Sequence, residues 1–296
     1  MSTPPFLELP LRTRARHLDT DRGRFAVLDA PAAPGRASRA TPPSTPSTPS
    51  TVLMVPGYTG SKEDFIAVLG PLAAHDHRVV AIDQRGQYQT PGPDTPDAYT
   101  VEELARDVLA VAKALDDGPV HMLGHSFGGL VARAAALADP TMVRSLTVMD
   151  SGPAAVTGRE ADRLRQLLEA LPVMDLPTIW RVMKAADAAA GSRPPTDPAV
   201  AAFLEQRFLA NAIAGLAGMG RALLGEPDRV TDLLALGLPT LVTYGAHDYV
   251  WAPAIQADMA ARLRARHAPI AAAAHSPAVE RPGETAAALV EFWRSA

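Results

Sequence analysis

The stretch VHMLGHSFGGLVARAAALA, residues Val120 to Ala138, holds three patterns end to end. Val120–Leu123 is a short apolar run of the kind that forms a buried strand, and Phe127–Ala138 is rich in alanine and leucine at helical spacing. Between them stands Gly124-His125-Ser126-Phe127-Gly128. A strand that turns straight into a helix crowds its own backbone, and flanking glycines relieve that crowding around the central residue. The reading predicts a serine held on a sharp strand-to-helix turn. A chance glycine-rich turn, or a helix start that binds an anion, is the competing explanation. The strand before the motif and the helix after it argue against both.

Outward from this stretch, short β-branched runs alternate with longer Ala/Leu segments, the pattern of a mainly parallel sheet covered by helices on both faces. Strands are expected at Arg22–Asp29, Thr51–Val55, Val79–Ile82, Val120–Leu123, Leu146–Met149, Leu238–Tyr244 and Ile270–Ala273. Helices are expected at Lys62–Ala74, Val101–Leu115, Phe127–Ala138, Pro253–Arg266 and Pro282–Arg294. Between Gly152 and about Leu236 no strand pattern occurs, only helical segments at Glu160–Leu171, Leu176–Ala190 and Pro198–Leu224. Residues 153–236 are therefore expected to be a helical cap inserted into a core made of 1–152 and 237–296. Residues 31–50 combine proline with serine and threonine, a composition that cannot bury apolar surface, and predict an extended loop joining the two strands around it as a long hairpin.

Composition narrows the chemistry. The 296 residues carry a net charge of -4, which gives no footprint for nucleic acid or an anionic membrane. The groups Arg12, Arg14, Arg16 and Arg262, Arg264, Arg266 read as solvated faces. There are no cysteines, so disulfides, thiolate metal sites and cysteine nucleophiles fall away together. No run approaches the roughly 20 apolar residues of a membrane span, and Pro4, Pro5 and Pro10 break the N-terminus where a signal peptide would need an apolar core. A cytoplasmic protein is expected, with no cofactor and no metal.

A lone serine hydroxyl is a weak nucleophile; it needs an imidazole within reach and a carboxylate to orient that ring. Asp248, in Gly245-Ala246-His247-Asp248, follows the strand ending at Tyr244, and His275 follows the strand expected to end near Ala273. Both would lie on loops at strand ends. Asp150 also ends a strand and competes with Asp248 as the orienting acid. His125 and His247 adjoin Ser126 and Asp248 in the chain and are expected to point elsewhere, while His267 is placed at a helix end. His121 and His125 straddle a strand end and a turn, which disfavours a metal pair.

With these residues assembled, the chain resembles the α/β-hydrolase superfamily from about Thr51 to the C-terminus, especially its capped, esterase-like members. Val55-Pro56-Gly57-Tyr58-Thr59-Gly60 resembles the family's oxyanion loop, Asp83-Gln84-Arg85-Gly86 its turn, and Gly245–Asp248 with His275-Ser276-Pro277 its acid and histidine segments. Where relatives often carry His-Gly after that turn, this chain has Gln87-Tyr88, which reads as structural variation. The resemblance implies Ser126, Asp248 and His275 as catalytic residues and backbone N–H groups of Tyr58 and Phe127 as oxyanion donors. It implies hydrolysis through an acyl-enzyme, foremost of an ester of a small or medium acyl group. A thioester, lactone, amide or carbon–carbon bond stays open on the same residues, as does a non-catalytic binding protein of the same fold.

Overall fold

The computed structural model describes residues 2–33 and 50–296. The loop expected over 31–50 lies, apart from residues 31–33 and 50, outside the described residues. Eight strands form one sheet: β1 (Arg14–Thr20), β2 (Gly23–Ala30), β3 (Ser50–Val55), β4 (His77–Ile82), β5 (Val120–His125), β6 (Val143–Met149), β7 (Thr240–Gly245) and β8 (Arg266–Ile270), in the spatial order β1-β2-β4-β3-β5-β6-β7-β8. The pairs β1/β2 and β2/β4 are antiparallel, and every pair from β4 to β8 is parallel.

The hairpin expected between β2 and β3 is not formed. β2 pairs antiparallel with β4, Val27 opposite Ile82, and β3 lies on the far side of β4. Two further expectations shift. β1 was not expected as a strand, and the last strand is Arg266–Ile270 instead of Ile270–Ala273, so His267 stands on an edge strand and not at a helix end. Its ring nitrogen meets the Tyr244 hydroxyl at 2.6 Å.

Alternation along the central strands explains the two helical layers. Leu53, Val55, Val80 and Ile82 face one core, which contains residues of α2 (Val101–Leu115) and α3 (Phe127–Ala138). Val52, Met54, Val79 and Ala81 face the other, built with α1 (Ile66–Ala73) and Leu289, Phe292 and Trp293 near the C-terminus. Both faces of the strands are apolar because both are covered.

Between β6 and β7 the chain forms α4 (Gly158–Ala170), α5 (Leu176–Ala189), α6 (Pro198–Leu209), α7 (Ile213–Gly225) and α8 (Val230–Ala235). The single segment expected over Pro198–Leu224 is thus two helices, broken at Ala210–Ala212 and bent by 87°. Leu176, Ile179, Trp180, Val200, Phe203, Leu204, Phe208 and Leu216 make a separate apolar cluster, with Tyr58 and Tyr88 of the sheet region packed against it. Beyond β7 come α9 (Pro253–Leu263), α10 (Pro277–Glu280) and α11 (Pro282–Trp293). Among the described residues no single helix is long and apolar enough to cross a membrane.

Candidate active site

Ser126 sits where β5 passes into α3, with φ 54° and ψ −122°, a strained conformation for a residue with a side chain. Two glycines make the turn possible. A Cβ on Gly124 would collide with the Gly128 carbonyl, and one on Gly128 would collide with the backbone of Val55 and Pro56. The Ser126 N–H donates to the Met149 carbonyl at 2.9 Å, tying the turn to β6.

The structure brings Ser126, His275 and Asp248 together. His275 Nε2 lies 3.0 Å from Ser126 Oγ, and its Nδ1 lies 2.8 Å from Asp248 Oδ1. Asp248 is buried and further held: Oδ1 accepts the Val250 N–H at 2.9 Å, and Oδ2 accepts the Gln256 side-chain amide at 2.7 Å. That amide also donates to the Trp251 carbonyl at 2.8 Å, so the first turn of α9 braces the loop that carries the acid. Sequence reasoning missed Gln256. Nothing in its helix, which also carries Asp258 and Arg262, singles it out, and its aim is set by tertiary packing.

The competing acid, Asp150, lies beside this group without replacing Asp248. It is fully buried at the end of β6 with φ 45°, and its Oδ1 accepts the Gly245 N–H at 2.9 Å. Its Oδ2 has no hydrogen-bond partner. Burial, reinforced by the Asp248 charge, pushes its carboxyl well above the ordinary carboxylate range. One ligand atom each of Asp150, Asp248 and His275 lies within 4.8 Å of the others, close enough to hold a cation, but the last two are already bonded to each other.

The remaining histidines go where their neighbours in the chain do not. The His125 ring donates from Nε2 to the His275 carbonyl at 2.7 Å; burial, then the nearby His275, holds its pKa down to about 3, so the ring is neutral. His247 is exposed. His121 meets Ser145 Oγ at 2.7 Å, so it and His125 have separate partners and no shared ligand geometry.

The loop after β3 presses on the serine. A Cβ on Gly57 would stand 3.0 Å from the Ser126 Cβ. Tyr58 sends its side chain away, its hydroxyl donating to the Leu216 carbonyl of α7 at 2.9 Å. Gln84 and Gln87 donate their side-chain amides to the Pro56 and Gly57 carbonyls at 2.8 and 2.9 Å. Phe127 is the first residue of α3, where backbone N–H groups have no intrahelical partner. A buried ion pair joins this loop to the helical segment: Arg207 of α6, fully buried, donates to Asp64 Oδ1 at 2.6 Å and to the Ser2 carbonyl at 2.8 Å.

Comparison with known proteins agrees with this architecture. Residues 50–175 match the family described as alpha/beta hydrolase fold. A pimeloyl-[acyl-carrier protein] methyl ester esterase of Edwardsiella ictaluri is 32% identical over 251 residues, 81% of this chain and 92% of that protein. A protein of Variovorax paradoxus named as a carbamate hydrolase, RutD, is 34% identical over 140 residues, 44% of this chain; the match spans about half, 52%, of that protein's length. The crystal structure of a hydrolase from Pseudomonas aeruginosa PA01 superposes with a TM-score of 0.73 at 25% identity, covering 95% of this chain and 98% of that one.

Proposed function

The chain belongs to the alpha/beta hydrolase fold family and is a hydrolase, and we propose that it acts as a serine hydrolase on a carboxylic ester of a small or medium acyl group. The observation that carries this reading is the hydrogen-bonded series from Ser126 Oγ to His275 at 3.0 Å and from His275 to Asp248 at 2.8 Å. In it, His275 Nε2 takes the hydroxyl proton as Ser126 Oγ attacks the carbonyl carbon. Asp248 holds the ring with Nδ1 protonated and stabilises the imidazolium that forms. The proton then passes to the leaving oxygen, the alcohol departs, and an acyl-enzyme remains. Water, deprotonated by the same nitrogen, releases the acid and restores the serine.

The developing oxyanion is assigned to the backbone N–H groups of Tyr58 and Phe127, supported by the contact of the Gly57 loop with Ser126 and by the position of Phe127 at the start of α3. Residues 153–236 are read as a cap over a core of 1–152 and 237–296. The separate apolar cluster of α5, α6 and α7, resting on Tyr58 and Tyr88, supports an apolar lining for the acyl group. The similar proteins are named for a methyl ester and a carbamate, both carbonyl compounds open to attack by a hydroxyl.

The test is hydrolysis of p-nitrophenyl acetate and butyrate by purified wild type and Ser126→Ala. The variant is expected to lose roughly ten-thousand-fold or more in kcat. Wild-type rates in the variant would remove Ser126 from the mechanism.

A further inference from the structure

Gln87 lies in the turn after β4, nearly fully buried, and its backbone is pinned on both sides: its N–H donates to the Gln84 carbonyl at 2.9 Å, and its carbonyl accepts the Thr90 N–H at 2.9 Å. Its side chain therefore starts from a fixed point. The amide reaches back to the loop after β3 and donates from Nε2 to the Gly57 carbonyl at 2.9 Å. Only the nitrogen end of the amide can do this, because a carbonyl oxygen accepts and never donates. The same carbonyl accepts the Gly60 N–H at 3.1 Å, closing the turn in which Thr59 takes φ 59°.

The Gly57 carbonyl and the Tyr58 N–H belong to one peptide group. That group is planar and trans, so the N–H points opposite to the C=O. Whatever anchors the oxygen sets the direction of the hydrogen. Two donors on the Gly57 oxygen fix one side of the plane, and the Tyr58 N–H is turned to the other. Gln84 does the same one peptide earlier, donating to the Pro56 carbonyl at 2.8 Å. Without Gln87 the plane would keep only the bond from Gly60, which lies in the same turn and moves with it.

We propose that Gln87 is a positioning residue for transition-state stabilisation, aiming the Tyr58 N–H at the oxyanion by holding the carbonyl of the same peptide. This rests on the serine-hydrolase reading above and adds a residue to it. In this role Gln87 acts through the Gly57–Tyr58 peptide and not on the substrate. It fixes a donor in advance of the reaction, so the donor need not reorient as charge develops. The effect belongs to the transition state, and it falls on kcat more than on KM.

The experiment uses full-length wild type, Gln87→Met and Gln87→Asn. The first removes the donor at nearly constant volume, and the second withdraws it by one methylene. Active sites are counted by end-point labelling with a fluorophosphonate probe, so that misfolded molecules, which do not label, drop out of the rate. Per labelled site, kcat on p-nitrophenyl butyrate is expected to fall roughly 10- to 100-fold in both variants, less than or comparable to the loss of a whole oxyanion donor, with KM changing by less than about threefold. A trifluoromethyl ketone, whose serine adduct carries an oxyanion, should weaken in Ki by a similar factor. Unchanged kcat per labelled site, or an unchanged Ki, overturns the role of Gln87 while leaving Ser126 in place. Failure of the probe to label wild-type Ser126 overturns the serine-hydrolase reading and this inference with it.

Discussion

Gln256 donates its side-chain amide to the Asp248 oxygen that His275 does not use, at 2.7 Å, and is itself wholly buried. The carboxylate that meets His275 Nδ1, proposed to orient that ring, is thereby held in turn by a helix. Replacing Gln256 with leucine leaves that oxygen without its amide donor and lets the carboxylate rotate about the Val250 contact. The expected outcome is a fall in kcat of roughly tenfold with the protein still folded, by analogy with metal sites, where losing a group that holds a ligating side chain in place costs about 10- to 100-fold. Steady-state kinetics and a thermal melt of Gln256→Leu check it together.

Arg207 and Asp64 are both buried, at 0% and 3% exposure, and 2.6 Å apart. Removing the arginine alone strands a carboxylate with little but the Ser61 N–H, at 3.3 Å, to satisfy it. Arg207→Met is expected to cost about 3–5 kcal/mol in urea unfolding, and the double variant Arg207→Met with Asp64→Leu to recover much of that, because the loss comes mostly from the stranded charge. Equal stability of the single and double variants would contradict this account.

Asp150 makes the stability depend on pH with a definite sign. Burial raises its folded pKa well above the 3.8 of an unfolded aspartate. Above about pH 4 the unfolded chain gives up this proton while the folded chain keeps it, so stability falls with rising pH until the folded pKa is reached. The stabilising contribution of the proton is full at low pH and fades as pH rises. Asp150→Asn carries no such proton. Its stability relative to wild type is expected to increase from pH 5 to pH 8, read as the difference in urea midpoints at the two pH values.

Much of the site was legible because its residues adjoin apolar runs. Val120–Leu123 announces the strand before Ser126, and Leu238–Tyr244 the one before Asp248. The placement of His275 beside Ser126 was legible even though the strand before it is Arg266–Ile270, because the order of acid and histidine survives an error of four residues at the start of the strand. That strand was hidden by its exposure: Arg266, His267 and Pro269 show no apolar pattern. β1 was hidden likewise, with Leu18 as its single buried residue. The hairpin failed for another reason. Which strand lies beside β2 is decided by a crossover to β4, and no local pattern encodes it. Gln256 escaped notice, and Gln87 read as mere structural variation, because each hydrogen bond, to Asp248 and to the Gly57 carbonyl, spans a gap that only folding closes.

The two strands at the sheet's ends bear on how molecules of this protein meet one another. β8 presents Pro269, which has no N–H to offer an incoming strand, and Arg266, paired with Glu291; β1 presents Arg14 and Arg16, the latter paired with Asp29. Proline and charge at sheet margins discourage growth of the sheet into a neighbour. Fibre-like stacking is therefore disfavoured at both ends.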